Sequence, residues 1–461
     1  MAEAKPESID ILAIPLAPLV FRSGQPFGEA GQTGGLNPLR FPLPGSMAGG
    51  VRAAWCEATG RLPRDDQHVH SVLDTIHVQG PLRCTQRGNN LHFWYPKPVN
   101  AEIDEGWLYG RWPTTAAAEQ GGCDLPSGLL PLTRRKHHTK LASGEPESAS
   151  WWNATALVAW LASASTNQTP ALTADQCMPD LPADRETHIA VDANRQVEAS
   201  RLFVNETLNF RQPLERSDTE QGLWMRLINK EKSSTHPKKP PREHKNLAAI
   251  AGKPWRLGAD GAAAWFKQMN QNGPEAHFQD LANQLKHVKQ GSIVCLYLAT
   301  PACFARNGWY PDGLAPKGTD GEANNFLKPR PAGSAADKVG SGDELPLVGR
   351  LVGWPDGSQV RLLAAAVEAY VPYSGWKQRP PKAETEPRTR PGRKNAEHPV
   401  TPVRDSALQR LVPAGSLYWF EVTQWKNCER HFWTNLMLQS CCRAEHARDG
   451  LGLAVYALVK R

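Results

Sequence analysis

The sequence predicts an α+β protein of two domains, and three observations carry that prediction. Strand-like apolar runs and helix-like periodic stretches intermix along the chain without the βαβα rhythm of a doubly wound sheet. A strand, a glycine loop and a helix open the chain clearly once, and a strand expected near Gly291 begins what reads as a second, diverged half. The 461 residues are enough for two cores of ordinary size.

Residues 11–21 read as a buried strand. Residues 23–45 hold so many glycines and prolines that they read as a loop. Ser46 is the expected N-cap of a helix whose apolar face, Val51, Ala54 and Trp55, runs to Gly60. Residues 72–78 and 91–95 read as paired strands around the turn Arg87-Gly88-Asn89-Asn90. Residues 151–164 read as a helix, and 188–191 with 201–208 as a hairpin about the polar turn 192–195.

A basic stretch at 230–245, with three prolines and almost no apolar residue, reads as a linker between domains 1–229 and 246–461 or as an exposed basic loop. Beyond it come a helix at 278–289, a strand at 291–300, strand-like segments at 347–354 and 359–371, and closing strands at 416–422 and 450–460. Two long insertions interrupt this half: 311–344, rich in glycine, proline and charge, and 377–402, basic and rich in proline. Two sheets of the ferredoxin type, each with helices on one face and with long inserted loops, account for this order.

Composition narrows the function. The formal net charge of +7 suits a nucleic-acid partner without requiring one. No apolar run approaches the ~20 residues of a membrane span, and the polar, acidic first ten residues carry no secretory signal. Nine scattered cysteines without a Cys-x-x-Cys repeat imply a reduced, cytoplasmic protein with no structural metal. Sixteen tryptophans serve mainly core and subunit packing, with a few left for base stacking.

The strongest local signal is the junction Gly45-Ser46-Met47-Ala48-Gly49-Gly50-Val51-Arg52. A helix N-terminus presents unpaired N–H groups and partial positive charge to an anion. Gly49 and Gly50 each cost a helix about 1 kcal/mol against alanine, so either something approaches the backbone closely or the helix packs tightly on a sheet. Arg52, three residues after Gly49, is expected on the same face. With Arg22 they form a cradle that we read as one for RNA backbone phosphate. The Gly-Lys-Ser/Thr ending of a nucleotide-hydrolysing loop is missing.

The basic run Arg134-Arg135-Lys136-His137-His138-Thr139-Lys140 reads as a solvated loop or a phosphate contact. His68 and His70 alternate as on one face of a strand, with His77, Asp65, Asp66 and Asp74 nearby. They would suit a transition metal, or either could act as general base in RNA cleavage.

In order along the chain, several short motifs resemble a known family. Pro15-Leu16-x-Pro18-x-x-Phe21-Arg22-x-Gly24-x-Pro26-Phe27 is followed by Phe41-Pro42-x-Pro44-x-Ser46-x-x-Gly49-x-x-Arg52. Then come Val78-Gln79-Gly80-Pro81-Leu82, Tyr95-Pro96-x-Pro98, His188-Ile189-x-x-Asp192 and Leu202-Phe203. Leu298-x-x-Pro301-x-x-Phe304, Gly308-Trp309-x-Pro311, Ser374-Gly375-Trp376, Val412-Pro413-Ala414-Gly415-Ser416-Leu417-Tyr418 and Gly450-Leu451-Gly452 complete the series. Together they resemble the third subunits of the Cmr complex, the type III-B CRISPR effector, within the Cas-five group of RAMP proteins; a type III-D relative is the neighbouring possibility. Gly45 and Gly50 depart from the family pattern, as do the two insertions.

The resemblance implies two ferredoxin-like (RRM-like) domains, no catalysis and no cofactor. It implies a scaffold that binds the 5′ handle of the CRISPR RNA, between a large Palm-domain subunit and the backbone subunits, touching target RNA only indirectly. Arg22, Ser46, Met47, Gly49 and Arg52 would then hold handle phosphates, and Ser23, Gly24, Gln25, Pro26 and Phe27 would lie against the handle. His188, Arg201, Phe203 and Trp376 would contact base or phosphate. The alternative is a RAMP endoribonuclease that processes CRISPR precursor RNA with His68 or His70 as base. A protein that binds other subunits without touching RNA is the third reading.

Overall fold

The apolar run Ile11-Leu12-Ala13 is covered on both faces, as a central strand with layers above and below requires. It lies in β1 (Ser8–Pro15). The structure, a computed structural model, describes residues 7–21, 39–62, 66–114, 129–141, 149–166, 168–191, 197–210, 219–230, 246–258, 261–304, 308–316, 347–373, 409–426, 428–429 and 431–459.

After β1 come α1 (Pro44–Ala58) and α2 (Asp66–Thr75), which runs straight into β2 (Ile76–Arg87). The strand expected at 72–78 therefore begins only at Ile76. Val69, Val72 and Leu73 repeat at i, i+3 and i+4, a helical period that the strand reading passed over. A turn at Gly88 and Asn89 joins β2 to β3 (Asn90–Pro96), as expected.

A small sheet follows, β4 (Ala101–Asp104), β5 (Trp107–Pro113), β6 (Leu132–Arg134) and β7 (Thr139–Lys140), with β5 paired to the other three. Trp151 and Trp152, expected in a helix, lie in β8 (Trp151–Asn153). Asn153 then caps α3 (Ala154–Ala162) by accepting the Ala156 N–H at 2.9 Å. After β9 (Cys177–Met178) comes the expected hairpin, β10 (Ala183–Val191) and β11 (Val197–Leu208). β12 (Thr219–Asn229), β13 (Lys253–Arg256) and β14 (Ala263–Met269) complete this half.

The first sheet has the order β13-β14-β1-β12-β2-β3-β8-β9, with every neighbouring pair antiparallel. β13 and β14, which follow the basic stretch 230–245, belong to this first sheet. β14 alternates buried Ala264 and Phe266 with exposed Trp265 and Lys267, and it zips along β1 from Asp10 to Pro15.

The second half opens with α4 (Gln279–Leu285), which packs on the last strand of its sheet. Its strands are β15 (Ile293–Leu298), β16 (Leu314–Pro316), β17 (Leu347–Gly349), β18 (Gln359–Ala366), β19 (Val371–Tyr373), β20 (Gln409–Leu411), β21 (Leu417–Gln424), β22 (Gln439–Ser440) and β23 (Leu453–Val459). Two short helices, α5 (Phe432–Leu436) and α6 (Ala444–Ala447), lie between β21 and β23. The sheet order is β16-β17-β18-β21-β15-β23-β22, while β19 and β20 pair apart from it. The molecule is thus the expected α+β mixture.

The central quartets of the two sheets share one arrangement. β14-β1-β12-β2 and β23-β15-β21-β18 each read 4-1-3-2 in chain order, all antiparallel to their neighbours.

One apolar core runs through both halves. Trp112 meets Trp419 edge to face across the divide, with ring centroids 6.0 Å apart. The Tyr297 hydroxyl donates to the Pro96 carbonyl at 2.5 Å, and the Leu130 N–H donates to the Leu363 carbonyl at 2.7 Å. The turn before β23 docks on β2: the Val78 N–H donates to the Arg448 carbonyl at 2.9 Å, and Gly450, at φ +82°, lies against the backbone of Gly80 and Val78.

Candidate nucleic-acid interface

The helix α1 starts at Pro44, with Leu43 in the capping position and no side-chain cap. Ser46 is therefore in the first turn rather than at the expected cap. Proline at the first helical position supplies the right φ and has no N–H to lose. The Ser46 and Met47 N–H groups both donate to the Leu43 carbonyl, at 3.1 and 3.2 Å. Fewer first-turn donors point at an anion than the sequence suggested.

Ser46, Gly49, Ala53 and Glu57 are exposed along one line of the helix, while Met47, Ala48 and Val51 are buried. Met47 is fully inside and contributes to the core, so its side chain is removed from the expected contact set. The two glycines divide their roles. A Cβ on Gly49 would meet nothing within 4 Å, whereas one on Gly50 would lie 3.0 Å from Leu257. Tight packing explains Gly50, and an open surface surrounds Gly49.

Arg52 corrects the sequence reading. The open face continues through Ala53, and the 3.6-residue period turns Arg52 inward. Its Nε donates to the Ile76 carbonyl at 2.8 Å, Nη1 to Asp449 Oδ1 at 2.6 Å and Nη2 to the Arg448 carbonyl at 2.6 Å. Burial lowers its pKa, and Asp449 opposes that shift. Arg52 therefore clasps the two halves, and its charge is already matched inside the protein.

Tyr373 joins this junction. A Cβ on Gly45 would collide with the Tyr373 hydroxyl, so the glycine that departs from the family pattern makes room for a ring from the second half. Burial raises the phenol pKa of Tyr373 well above its ordinary range.

Arg22, Ser23, Gly24, Gln25, Pro26, Phe27 and Trp376 lie outside the described residues. The residues bounding them are placed. The Leu39 N–H approaches the Phe21 carbonyl at 3.5 Å, so the two flanks of segment 22–38 meet. Leu19 exchanges backbone hydrogen bonds with Leu208, at 3.0 and 2.7 Å, tying the base of the β10–β11 hairpin to the same place. In that hairpin His188 is the register partner of Phe203, and Arg201 is two residues along the strand from Phe203.

Segment 374–408 departs from Tyr373, beside Gly45. Segment 231–245 departs from Lys230, whose N–H donates to the Thr75 carbonyl at 2.8 Å, and returns to the short helical turn Leu247–Ile250, which packs on α1. The glycine loop and both basic stretches thus each have a flank at α1, and the hairpin base is tied to Leu19. Sequence reasoning missed Tyr373 and Asp449, because nothing local marks a partner some 300 to 400 residues away.

The histidine reading changes as well. His68 and His70 lie on α2 and not on a strand. Two helical residues two positions apart point away from each other, so they cannot share a ligand. Among the described residues no group of three His, Cys, Asp or Glu is placed to hold a metal. Among them too, no helix is long and apolar enough to cross a membrane.

Burial, with Lys230 and Arg52 nearby, lowers the pKa of His77 below its ordinary 6.5, and burial lowers His277 likewise. The unfolded chain then binds more protons than the folded one below about pH 6.5, so stability falls as the pH drops through that value and levels off below the folded pKa. Urea unfolding at pH 7.5 and pH 5 is expected to show this loss, and His77→Gln to reduce it.

A family model described as CRISPR-associated protein (Cas_Cmr3) matches residues 11–457. No curated protein matches the chain. Two solved chains are similar, from cryo-EM structures of the Type III-B Cmr-beta complex bound to cognate target RNA, one also with AMPPnP. Their sequence identities are 11% and 12%, each with a TM-score of 0.33. The matches cover 64% of this chain, and 69% and 71% of those chains. So loose a superposition transfers no positions.

Proposed function

The chain belongs to the Cas_Cmr3 family of CRISPR-associated proteins, and from that membership we propose that it is a non-catalytic, RNA-binding scaffold subunit of a type III-B effector complex. In this reading it holds the 5′ handle of the CRISPR RNA, and it bridges a large Palm-domain subunit to the backbone subunits in the cytoplasm. Each central quartet has the strand order of a ferredoxin-like fold, which supports two such domains here.

One observation carries the RNA reading. Segments 22–38, 231–245 and 374–408 each have a flank at α1, whose line Ser46–Gly49 is open, and the base of the β10–β11 hairpin is tied to Leu19, close before the first of them. Segments 231–245 and 374–408 carry most of the lysines and arginines of the two basic stretches, so they would bring positive charge to that open line. Arg22, Ser46 and Gly49 would meet handle phosphates, with the residues 23–27, His188, Arg201, Phe203 and Trp376 around the bases. Arg52 drops out of this set because its guanidinium is committed to Asp449 and two carbonyls.

Gly49 offers a test separate from folding. Gly49→Ala meets no neighbour, and it is expected to stabilise the fold by about 0.5–1 kcal/mol. Gly49→Glu adds a negative charge to the open line and is expected to weaken binding of handle-bearing CRISPR RNA about tenfold with a melting midpoint no lower than the parent's. Undiminished affinity in Gly49→Glu would remove α1 from the RNA site.

A further inference from the structure

The small sheet β4–β7 carries a second surface that the α1 site does not use. Along β5 the side chains alternate. Leu108 and Trp112 are buried, and Trp107, Tyr109 and Arg111 face outward. His138 lies between the two outward rings, with its centroid 4.7 Å from Trp107 and 5.1 Å from Tyr109. The Arg134 guanidinium covers the other part of Tyr109 at 4.1 Å. Trp107, His138, Tyr109 and Arg134 thus form one continuous ladder on the outer face of the sheet.

The ladder is held in place from its own face, where Glu102 is the register partner of Tyr109. Glu102 accepts from Arg111 at 2.7 Å and from Arg134 at 2.5 Å, and these bonds lower its carboxyl pKa to about 2. Both guanidinium planes are fixed before any ligand arrives. Arg135 is turned the other way, 4.4 Å over Trp112, and donates to the carbonyls of Ser163, Ala164 and Thr166 just past the end of α3. The basic run is therefore divided. Arg135 is structural, while Arg134, Lys136, His137, His138 and Lys140 are exposed. Lys140 is the register partner of Trp107, and Arg134 that of Arg111, so cations and rings share one face with the carboxylates of Glu102 and Asp104, which hold Arg134 and leave Lys136 and Lys140 as the cations for phosphate.

Aromatic rings in a row beside lysines and fixed arginines match the chemistry of single-stranded nucleic acid, whose bases stack on rings and guanidinium planes while its phosphates meet cations. We propose that the outer face of β4–β7 binds a single-stranded RNA segment, with bases stacked on Trp107 and on the Arg134 guanidinium and phosphates against Lys136 and Lys140. This extends the RNA-binding reading to a second surface, independent of the α1 line and of any handle sequence.

The experiment uses the full chain and two RNAs, a 5′-labelled oligouridylate of about twelve nucleotides and the handle-bearing CRISPR RNA. Trp107→Ala and the double variant Lys136→Glu/Lys140→Glu are compared with the parent after their melting midpoints are checked. Each is expected to weaken oligouridylate binding about tenfold or more, roughly the loss of one stacked base or of two phosphate partners. The lysine double variant also lowers the salt dependence of log K by ~0.7 for each phosphate it no longer neutralises. Handle RNA carries the α1 contribution, so Gly49→Glu should leave oligouridylate affinity unchanged. Ultraviolet crosslinks from bound oligouridylate are expected at Trp107 or Tyr109. Equal oligouridylate affinity for the parent and both variants would overturn the proposal, as would a parent that binds no oligouridylate. Loss of a copurifying protein subunit at unchanged RNA affinity would also overturn it and make the face a protein interface.

Discussion

Arg52→Ala is expected to destabilise the protein by about 3–5 kcal/mol, the cost of leaving one member of a buried ion pair alone. Three acceptors depend on that guanidinium: Asp449, the Ile76 carbonyl and the Arg448 carbonyl. Arg52 joins α1 to the start of β2 and to the turn before β23, so its loss loosens the junction of the two halves as well as one helix. Lysine is no substitute, because a single ammonium cannot hold three acceptors in the fork that a guanidinium spans.

Urea unfolding measures the effect, and a cycle with Asp449→Ala isolates the pair. The double variant should lose less than the sum of the singles, since neither charge is then left unmatched. RNA affinity per folded molecule should hold. An Arg52→Ala protein as stable as the parent that binds RNA poorly would return Arg52 to the phosphate site.

Gly450→Ala carries an expected loss of roughly 2–5 kcal/mol. A Cβ there would collide with the Gly80 carbonyl oxygen and approach the Val78 carbonyl at 3.0 Å and the Gly80 nitrogen at 3.1 Å. All three are backbone atoms, so no side chain can rotate away. The φ of +82° adds its own strain for any residue with a Cβ. Nor can β2 retreat, because Gly80 is itself 2.7 Å, measured from an added Cβ, from the Trp224 carbonyl of β12. Thermal unfolding gives the size of the loss. Limited proteolysis should show the turn before β23 cut first, since that turn would have to lift from β2.

The sequence made the fold class readable where one short window held the whole signal. The hairpin of β2 and β3 was marked by Gly88-Asn89-Asn90 between apolar runs, and that of β10 and β11 by a polar turn. Elements decided elsewhere were less visible. Asn153 looks like an interior helix residue until its side chain is seen to cap α3, and β14 is too short and mixed to identify without β1 beside it. For the site, the open line Ser46–Gly49 was legible in the loop-to-helix junction. The inward turn of Arg52 was not, because i, i+3 spacing from Gly49 allows either side of the helix edge and only Asp449, far along the chain, decides it. The β5 ladder escaped notice since alternation over a few residues names a strand without saying which face stays open.

The pairing of β1 has a consequence during synthesis. Ser8 pairs with Ile228 and Ile14 with Trp265, so this apolar strand meets neither neighbour until more than 200 further residues have left the ribosome. At 5–20 residues per second that wait is on the order of ten seconds or more. Such distant pairing is slow and leaves strand edges bare to other chains. High-level expression is therefore expected to favour aggregation of nascent chains, and slowing translation or lowering temperature should raise the soluble yield.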